Sequence, residues 1–256
     1  MRIAARAARI GNNIIDIFAA VLVVLMLLYG GYSLWDNWRI NHAALSSDEL
    51  LQYKPTPGDT ESLAELMAIN PDVIGWITID DTHIDYPLVQ GKDDMEYVNK
   101  DVHGDFALSG SIFLSCINSR DLSDPYSLIY GHHMSNGAMF GDITEFTEES
   151  YFNSHRTGTI YLPDRTIDVQ LFACVKTDAS DAVVYDPQQQ SGNIAELLSY
   201  LEENSAQYRD IGVSQEDRVV GLSTCSEAVT NGRVIVYGKL VNEVTTDNRE
   251  VSDEHE

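Results

Sequence analysis

Basic residues are scarce in this chain of 256 residues. Sixteen lysines and arginines stand against 40 aspartates and glutamates, which gives a formal net charge of -24. Affinity for nucleic acid comes largely from Lys and Arg side chains that displace counterions from phosphates. So acidic a chain repels phosphate backbones, and nucleic acid is therefore not expected as a partner.

Cysteine is also rare, with Cys116, Cys174 and Cys225 as the full set. Three cysteines cannot form a disulfide framework, so at least one thiol stays free or pairs between chains. The adjacent pair His132 and His133 lacks the flanking residues of a zinc-binding H-E-x-x-H motif, and no cluster with ligand spacing accompanies it. We therefore predict no metal and no other cofactor.

Long apolar runs are limited to the N-terminus, where residues 17–35 carry no charge. As a helix, about 19 residues would extend roughly 28 Å, close to the hydrocarbon thickness of a bilayer. Arg2, Arg6 and Arg9 precede the run, and four aromatic residues lie between positions 29 and 38. Positive charge on the inner side and an aromatic belt at the outer interface are typical of a membrane anchor.

These features predict a cytoplasmic N-terminus at residues 1–13 and a transmembrane anchor at 14–35, with everything that follows outside the cell. A cleaved signal peptide is the alternative. Its apolar region would be shorter and would end in a small-x-small site. Either interpretation puts the chain after about residue 36 on the extracellular face.

Most of the remaining sequence reads as short strands rich in β-branched and aromatic residues. The predicted strands are 73–79, 83–89, 110–114, 127–130, 159–162, 167–175, 218–223 and 233–241. Regular helices do not alternate with these strands, as a parallel sheet would require. The pattern predicts a mainly β domain at residues 70–243, a closed or nearly closed barrel dominated by antiparallel pairs.

Helical patterns flank and interrupt this domain. Residues 36–69 read as a linker followed by a helical segment, and residues 191–208 have apolar positions on one helical face. The second helix lies within the excursion 176–217, and long excursions with their own secondary structure usually cover a site. The last residues, 244–256, are acidic without periodicity and are predicted to be a disordered tail.

Cys225 is the cysteine best situated for chemistry. It follows the apolar strand V-V-G-L-S-T and precedes a polar loop, so we expect it at an exposed strand end. Cys174 lies among apolar strand residues and is predicted to belong to the core, and Cys116 is also interpreted as structural. For Cys225 taken alone, a structural role and a nucleophilic role both remain open.

His132 and Arg233 are the candidate partners of Cys225. His132 follows the strand Leu-Ile-Tyr through Gly131, and Arg233 opens the strand after the Cys225 loop. A thiol nucleophile needs an imidazole close in space, and attack on a carbonyl needs a donor to the developing oxyanion. Adjacent strand ends on one barrel rim would bring the three residues together.

A family resemblance follows from an ordered set of motifs. L-S-T-C at 222–225, with Arg233 eight residues later and Y-G-H-H at 130–133 upstream, resembles the class B sortases. Further matching stretches are N-P-D-V-I-G-W at 70–76, I-D-Y-P-L-V-Q-G at 84–91, G-S-I-F at 110–113 and G-A-M-F at 137–140. The likeness extends from about residue 65 to 241.

The resemblance implies an eight-stranded sortase barrel with N-terminal helices and an extra helix before the strand that leads to the catalytic cysteine. It implies a cysteine transpeptidase of a Gram-positive-type envelope. Such an enzyme cleaves the C-terminal sorting signal of exported proteins through a thioester and transfers them to an amino group of peptidoglycan or of a pilin lysine. Matched to the motif, the catalytic residues are His132, Cys225 and Arg233, and the contacts to the sorting peptide are Tyr130, Ser223 and Thr224. His133 is then not catalytic.

Three departures from the family pattern leave the peptide specificity open. The loop between Cys225 and Arg233 is short for class B, Val183 and Val184 stand where an aromatic-aliphatic pair is expected, and Asp94 stands where an amide is expected. Two other functions remain as alternatives. One is a thiol endopeptidase of the same fold, and the other is a non-catalytic, membrane-tethered binding domain.

Overall fold

The computed structural model describes residues 2–44, 48–56, 60–225 and 232–245, with the backbone alone for 2–12, 37–44, 48, 49 and 225. The chain divides into two compact units, residues 1–42 and 43–256. The first unit is helical and the second contains every strand that the structure describes. The predicted tail from residue 246 and the loop 226–231 lie outside the described residues.

The N-terminal unit consists of helix α1 (Arg2–Ala44). Its segment Asn13–Asp36, of 24 residues, is long and apolar enough to cross a membrane, and none of that window is buried within the protein. Continuous apolar side chains without buried partners are what a lipid-facing helix requires. The segment contains the predicted anchor.

The described residues of the second unit include nine strands. They are β1 (Val73–Ile79), β2 (Asp85–Val89), β3 (Ile112–Leu114), β4 (Tyr126–Tyr130), β5 (Thr157–Tyr161), β6 (Arg165–Asp178), β7 (Ser205–Tyr208), β8 (Val219–Cys225) and β9 (Gly232–Thr245). The described helices of this unit are α2 (Asp48–Leu51), α3 (Glu61–Ile69), α4 (Glu149–Ser154), α5 (Ala182–Tyr185) and α6 (Ala195–Asn204), with 3₁₀ turns at Gly141–Thr147 and Pro187–Gln190.

Eight of the strands close into a barrel in the order β5-β1-β2-β3-β4-β8-β9-β6, because β6 also pairs with β5. The pairs β2–β3 and β4–β8 are parallel, and the other six pairs of the ring are antiparallel. The predicted eight-stranded, antiparallel-dominated barrel is confirmed. Closure removes the unpaired edges that an open sheet would expose.

Alternate residues of the strands face two different cores. In β8, Val220 and Leu222 belong to the barrel interior, whereas Val219 belongs to a second cluster on the outer face. That outer cluster includes Leu197 and Leu201 of α6, both with 0% of their surface exposed. Burying such a side chain contributes about 1.5–3 kcal/mol. Because α6 covers this wall of the barrel, the strands of the wall bury apolar side chains on both faces. Their sequences therefore read as continuous apolar runs.

A third cluster holds the N-terminal helix α3 against the barrel. Leu63 and Leu66 pack with Trp76 of β1, and all three are fully buried. The Trp76 indole donates to an Asp85 carboxylate oxygen at 2.7 Å, and Lys54 contacts the other oxygen of Asp85 at 2.7 Å. The helical segment predicted before residue 70 is therefore an integral part of the barrel unit.

One strand was not predicted. The helix expected at residues 191–208 ends at Asn204, and Ser205–Tyr208 instead forms β7. The reason lies in β6, whose pairing with β5 ends at Gln170. The following residues of β6 have unpaired backbone groups on that side, and β7 satisfies them through the pairs Ala173–Tyr208 and Cys174–Gln207.

Candidate active site

The ends of β4 and β8 form one rim of the barrel. These strands run parallel, and the last pair of their ladder joins Tyr130 to Ser223. The Gly131 amide then donates to the Ser223 carbonyl at 3.1 Å, which extends the contact by one residue. His132 and Cys225 each lie two residues beyond the last pair, so their backbones emerge at the same rim.

Arg233 joins this rim from the third strand. β8 and β9 are antiparallel, and the Cα of Cys225 pairs with that of Arg233. Cross-strand partners in an antiparallel sheet have their Cβ atoms about 5 Å apart. The structure thus brings the three predicted catalytic residues together through strand register, although they are separated by up to about a hundred positions in sequence.

A cleft of about 390 Å³ opens at this rim. Its lining residues are Asp94, Met95, Val98, Phe113, Tyr130, Gly131, His132, Ala179, Tyr185, Ser223, Thr224 and Arg233. All the predicted peptide contacts, Tyr130, Ser223 and Thr224, are in this set. Two of the lining residues, Ala179 and Tyr185, belong to the excursion after β6, which agrees with the prediction that this segment covers a site.

A hydrogen bond to the backbone holds the imidazole of His132. Its Nε2 lies 2.7 Å from the carbonyl oxygen of Val98. A carbonyl oxygen only accepts, so Nε2 carries the hydrogen in this bond and Nδ1 is the nitrogen left to exchange a proton. The next residue, His133, does not line the cleft, and its buried Nδ1 has no hydrogen-bond partner among the residues that the structure describes.

Gly131 permits the close packing that precedes His132. A Cβ at this position would lie 2.5 Å from Cδ1 of Ile112 and 2.7 Å from Cγ of Phe140. Real Cβ atoms do not approach other heavy atoms so closely. Only glycine therefore fits at position 131 without displacing Ile112 or Phe140.

Aromatic side chains form one wall of the cleft. Tyr130 packs against Phe113 with ring centroids 5.3 Å apart and stacks on Tyr185 at 6.4 Å. The Tyr185 hydroxyl lies 2.9 Å from the Ser223 hydroxyl. Burial raises the pKa of the Tyr130 phenol, so it stays neutral at physiological pH.

Sequence reasoning did not find several of the lining residues. Val98 and Met95 come from the long β2–β3 connection, which has no motif of its own. Tyr185 supplies an aromatic ring near the departure noted at Val183 and Val184, and Val184 instead packs in the outer core. The aromatic side chain of Tyr185 was the signal in the sequence that could have identified it. Whether that ring reaches Tyr130 depends on how the excursion folds.

The two other cysteines are free thiols. Cys174 is fully buried in the barrel interior, and burial raises its pKa to about 12. Cys116 is half-buried. Burial is the main cause that raises its pKa, and the nearby Asp94 carboxylate raises it further. A raised pKa lowers the thiolate fraction, so both are poor nucleophiles.

Within the part of the chain that is described, no three His, Cys, Asp or Glu residues form a group that could hold a metal ion.

Comparison with known proteins shows the family of this chain. A sequence profile of the sortase domain matches residues 77–241. Sortase B of Listeria monocytogenes is 31% identical over 183 residues, which cover 71% of this chain and 74% of that protein. A Streptococcus pyogenes class B sortase involved in pilus biogenesis has a TM-score of 0.66 and 42% identity, over 70% of this chain and 97% of that chain.

Sortase B from the type II pilus of Streptococcus pneumoniae has a TM-score of 0.58 and 38% identity, over 70% of this chain and 98% of that chain. A cysteine and a histidine brought to one rim of a closed barrel are the groups that a thiol-dependent acyl-transfer enzyme requires. The chain belongs to the sortase family and is a cysteine transpeptidase of class B type.

Proposed function

We propose that Cys225 is the nucleophile of this transpeptidase, His132 its proton-transfer group and Arg233 the donor to the oxyanion. The observation that carries the proposal is the parallel register of β4 and β8, whose ladder ends two residues before His132 on one strand and two residues before Cys225 on the other. The antiparallel partnership of Cys225 and Arg233 supports the third role.

In the first step the Cys225 thiolate attacks the carbonyl carbon of the peptide bond after the threonine of a sorting signal. The Arg233 guanidinium donates to the oxyanion that forms, and it stays charged at every relevant pH. His132 gives a proton to the amide nitrogen while the C–N bond breaks. The C-terminal fragment leaves as an amine, and the rest of the substrate stays on Cys225 as a thioester.

In the second step an acceptor amine attacks the thioester carbonyl. His132 accepts the proton that the amine loses, and the C–S bond breaks to release the new amide and the Cys225 thiolate. We assign both proton transfers to Nδ1 of His132, since Nε2 is engaged with the Val98 carbonyl. Tyr130, Ser223 and Thr224 contact the sorting peptide in this scheme, because all three line the cleft.

The acceptor is proposed to be a pilin lysine rather than a peptidoglycan cross-bridge. Two solved relatives that are linked to pili by name are 42% and 38% identical to this chain, whereas Listeria sortase B is 31% identical. An accessible second cavity of about 450 Å³ supports an acceptor route, since Arg233 lines it as well as the first cleft. An amine entering there would approach the thioester beside the oxyanion donor.

The enzyme is proposed to be a single-pass protein of a Gram-positive-type cell membrane. The span at Asn13–Asp36 and the three arginines before it support a cytoplasmic N-terminus and an extracellular barrel. This topology would keep the enzyme where its substrates leave the export machinery.

The test is an acyl-transfer assay with the full-length chain in detergent micelles. Fluorogenic sorting-signal pentapeptides are offered together with a lysine peptide or with triglycine, and the amide product is identified by mass. We expect cleavage with joining, and faster joining to lysine. Faster joining to triglycine would contradict the pilin assignment. Cleavage without joining would favour the thiol endopeptidase, and no cleavage of any peptide would contradict the catalytic roles.

Gly131→Ala is expected to misplace His132. The added methyl group would overlap the Phe140 ring and Ile112, and overpacking of this kind costs about 1–3 kcal/mol of unfolding free energy. A displacement of about 1 Å at a catalytic group can cost about a hundredfold in rate, so kcat should fall by that order. Thermal unfolding and steady-state kinetics measure the two effects.

The matched control for that variant is Gly192→Ala, because a Cβ at position 192 meets nothing within 4 Å. It is expected to leave both kcat and stability within experimental error. An unchanged kcat in Gly131→Ala would contradict the inference that close packing at Gly131 positions His132.

A further inference from the structure

Asp94 is a charged residue on the wall of the cleft that the proposed reaction does not use. Its Oδ1 accepts from the Cys116 amide at 2.6 Å, and its two oxygens lie 3.3 and 3.1 Å from the Ser115 hydroxyl. These contacts hold the carboxylate in one orientation at the edge of β3. The group is therefore a fixed charge of the cleft and not a freely rotating surface side chain.

This negative charge has no ionic partner among the described residues. The ion pairs found there are Lys54–Asp85, His83–Asp142, Lys100–Glu96, Arg165–Asp164, Arg165–Glu243, Arg218–Glu243 and Lys239–Asp217. Asp94 is half-buried, so water compensates the charge less than at an open surface. A cation that enters the cleft would gain both desolvated charge pairing and a pre-oriented acceptor.

The aromatic wall adds a second feature that favours a cation. Tyr130 is close enough to Asp94 for the carboxylate to raise its pKa further, after the larger effect of burial. Phe113 and Tyr185 both pack against Tyr130 and extend the aromatic surface of the cleft. Ammonium and guanidinium groups bind aromatic faces, and the methylenes of Lys or Arg pack on the same apolar surface.

We propose that Asp94 and Tyr130 form a subsite for a basic side chain, lysine or arginine, of the sorting peptide. The inference rests on the proposed function and specifies its substrate. An acceptor lysine is the other source of the same chemistry, but it must lose its proton before it attacks the thioester. A carboxylate stabilises the ammonium form, so the subsite suits a basic side chain that does not react.

The test compares peptides that differ only by lysine or the uncharged isostere norleucine at each of the four positions before threonine. The full-length enzyme in detergent cleaves them with a fixed acceptor, and kcat/KM is measured. We expect lysine to be preferred about tenfold at one position, the scale of one partly buried charge pair, and the preference to weaken with salt. In Asp94→Asn, which retains an oxygen for the Cys116 amide, the preference should fall to about twofold or less.

Asp93→Asn is the matched control, since it removes the same charge from the neighbouring position, which does not line the cleft. It should retain the lysine preference. The proposal is overturned if lysine is preferred at no position, or if Asp94→Asn retains the preference.

A second arm separates the two sources of the basic group. The peptide is held neutral, and lysine and triglycine acceptors are compared in the wild type and in Asp94→Asn. An effect of the variant confined to the lysine acceptor would overturn the assignment to the sorting peptide.

Binding of the same peptide pairs to full-length Cys225→Ala, followed by fluorescence anisotropy, tests the subsite without catalysis. Tighter binding of one lysine peptide that Asp94→Asn abolishes supports the subsite even if the wild type cleaves nothing. Equal binding of lysine and norleucine peptides overturns it even if the transpeptidase activity is present.

Discussion

Cys225→Ala is expected to abolish acyl-enzyme formation and amide joining. Alanine removes the sulfur that forms the thioester, and no neighbouring thiol replaces it: Cys174 is fully buried and Cys116 has a raised pKa. Loss of a covalent nucleophile typically costs on the order of 10⁴-fold or more, which here brings the rate to background. Intact-protein mass spectrometry after mixing with a sorting peptide measures the acyl adduct directly.

Cys116→Ala is the matched control for this variant. It keeps the backbone amide that donates to Asp94, so the cleft retains its shape and the adduct should form as in the wild type. Cys116→Ala should unfold near the wild-type temperature, since Cys116 does not belong to the described core clusters. An adduct on Cys225→Ala, or its loss in Cys116→Ala alone, would show that the nucleophile is elsewhere.

The second large effect is expected from the two adjacent histidines. His132→Gln should lower kcat/KM by about 10²–10⁴-fold, the contribution typical of a general acid-base group. The glutamine amide can still donate to the Val98 carbonyl in place of Nε2, so the local structure is retained while the proton transfer is lost. Steady-state kinetics with a sorting peptide measure the loss.

His133→Gln provides the comparison at the neighbouring position. His133 does not line the cleft, and its backbone forms an isolated bridge to Met139. Its replacement should therefore lower kcat/KM by less than about tenfold. Equal losses of kcat/KM in the two variants would contradict the assignment of His132.

Much of the barrel could be predicted from the sequence, because each strand carries its own local signal. β1 has the predicted bounds, Val73–Ile79, since a run of apolar residues there ends in Asp-Asp on one side and begins after Asn-Pro on the other. The 14-residue strand β6 was predicted at only nine positions. The polar ends of β6, Arg165 and Asp178, lack the apolar signal of a strand. They belong to β6 because their backbones pair with β9.

The short helical elements between β4 and β5 were not predicted. The 3₁₀ turn Gly141–Thr147 and α4 are too short for helical periodicity to emerge, yet Phe146 and Phe152 are buried in the barrel interior. Short helices of this kind are stabilised by tertiary packing and not by local propensity. β7 has the same origin, since it forms only because β6 extends past β5.

The candidate site likewise has one part that could be predicted from the sequence and another that could not. The sequence by itself determined which residues could act: a cysteine at a strand end, a histidine after a glycine and an arginine that opens the next strand, in an order that resembles the sortases. Chemistry is a property of residue type, so these candidates are visible without coordinates.

Only the tertiary structure decided which groups share the cleft. The parallel pairing of β4 with β8 joins segments about ninety residues apart, and no local signal specifies that register. The same holds for the placement of the Val98 carbonyl at His132, and for the distances of the Tyr185 ring and the Asp94 carboxylate from Tyr130, which depend on how two long connections fold. Long-range register is fixed by the shared burial of both faces of the barrel wall, a property of the assembled core and not of any single segment.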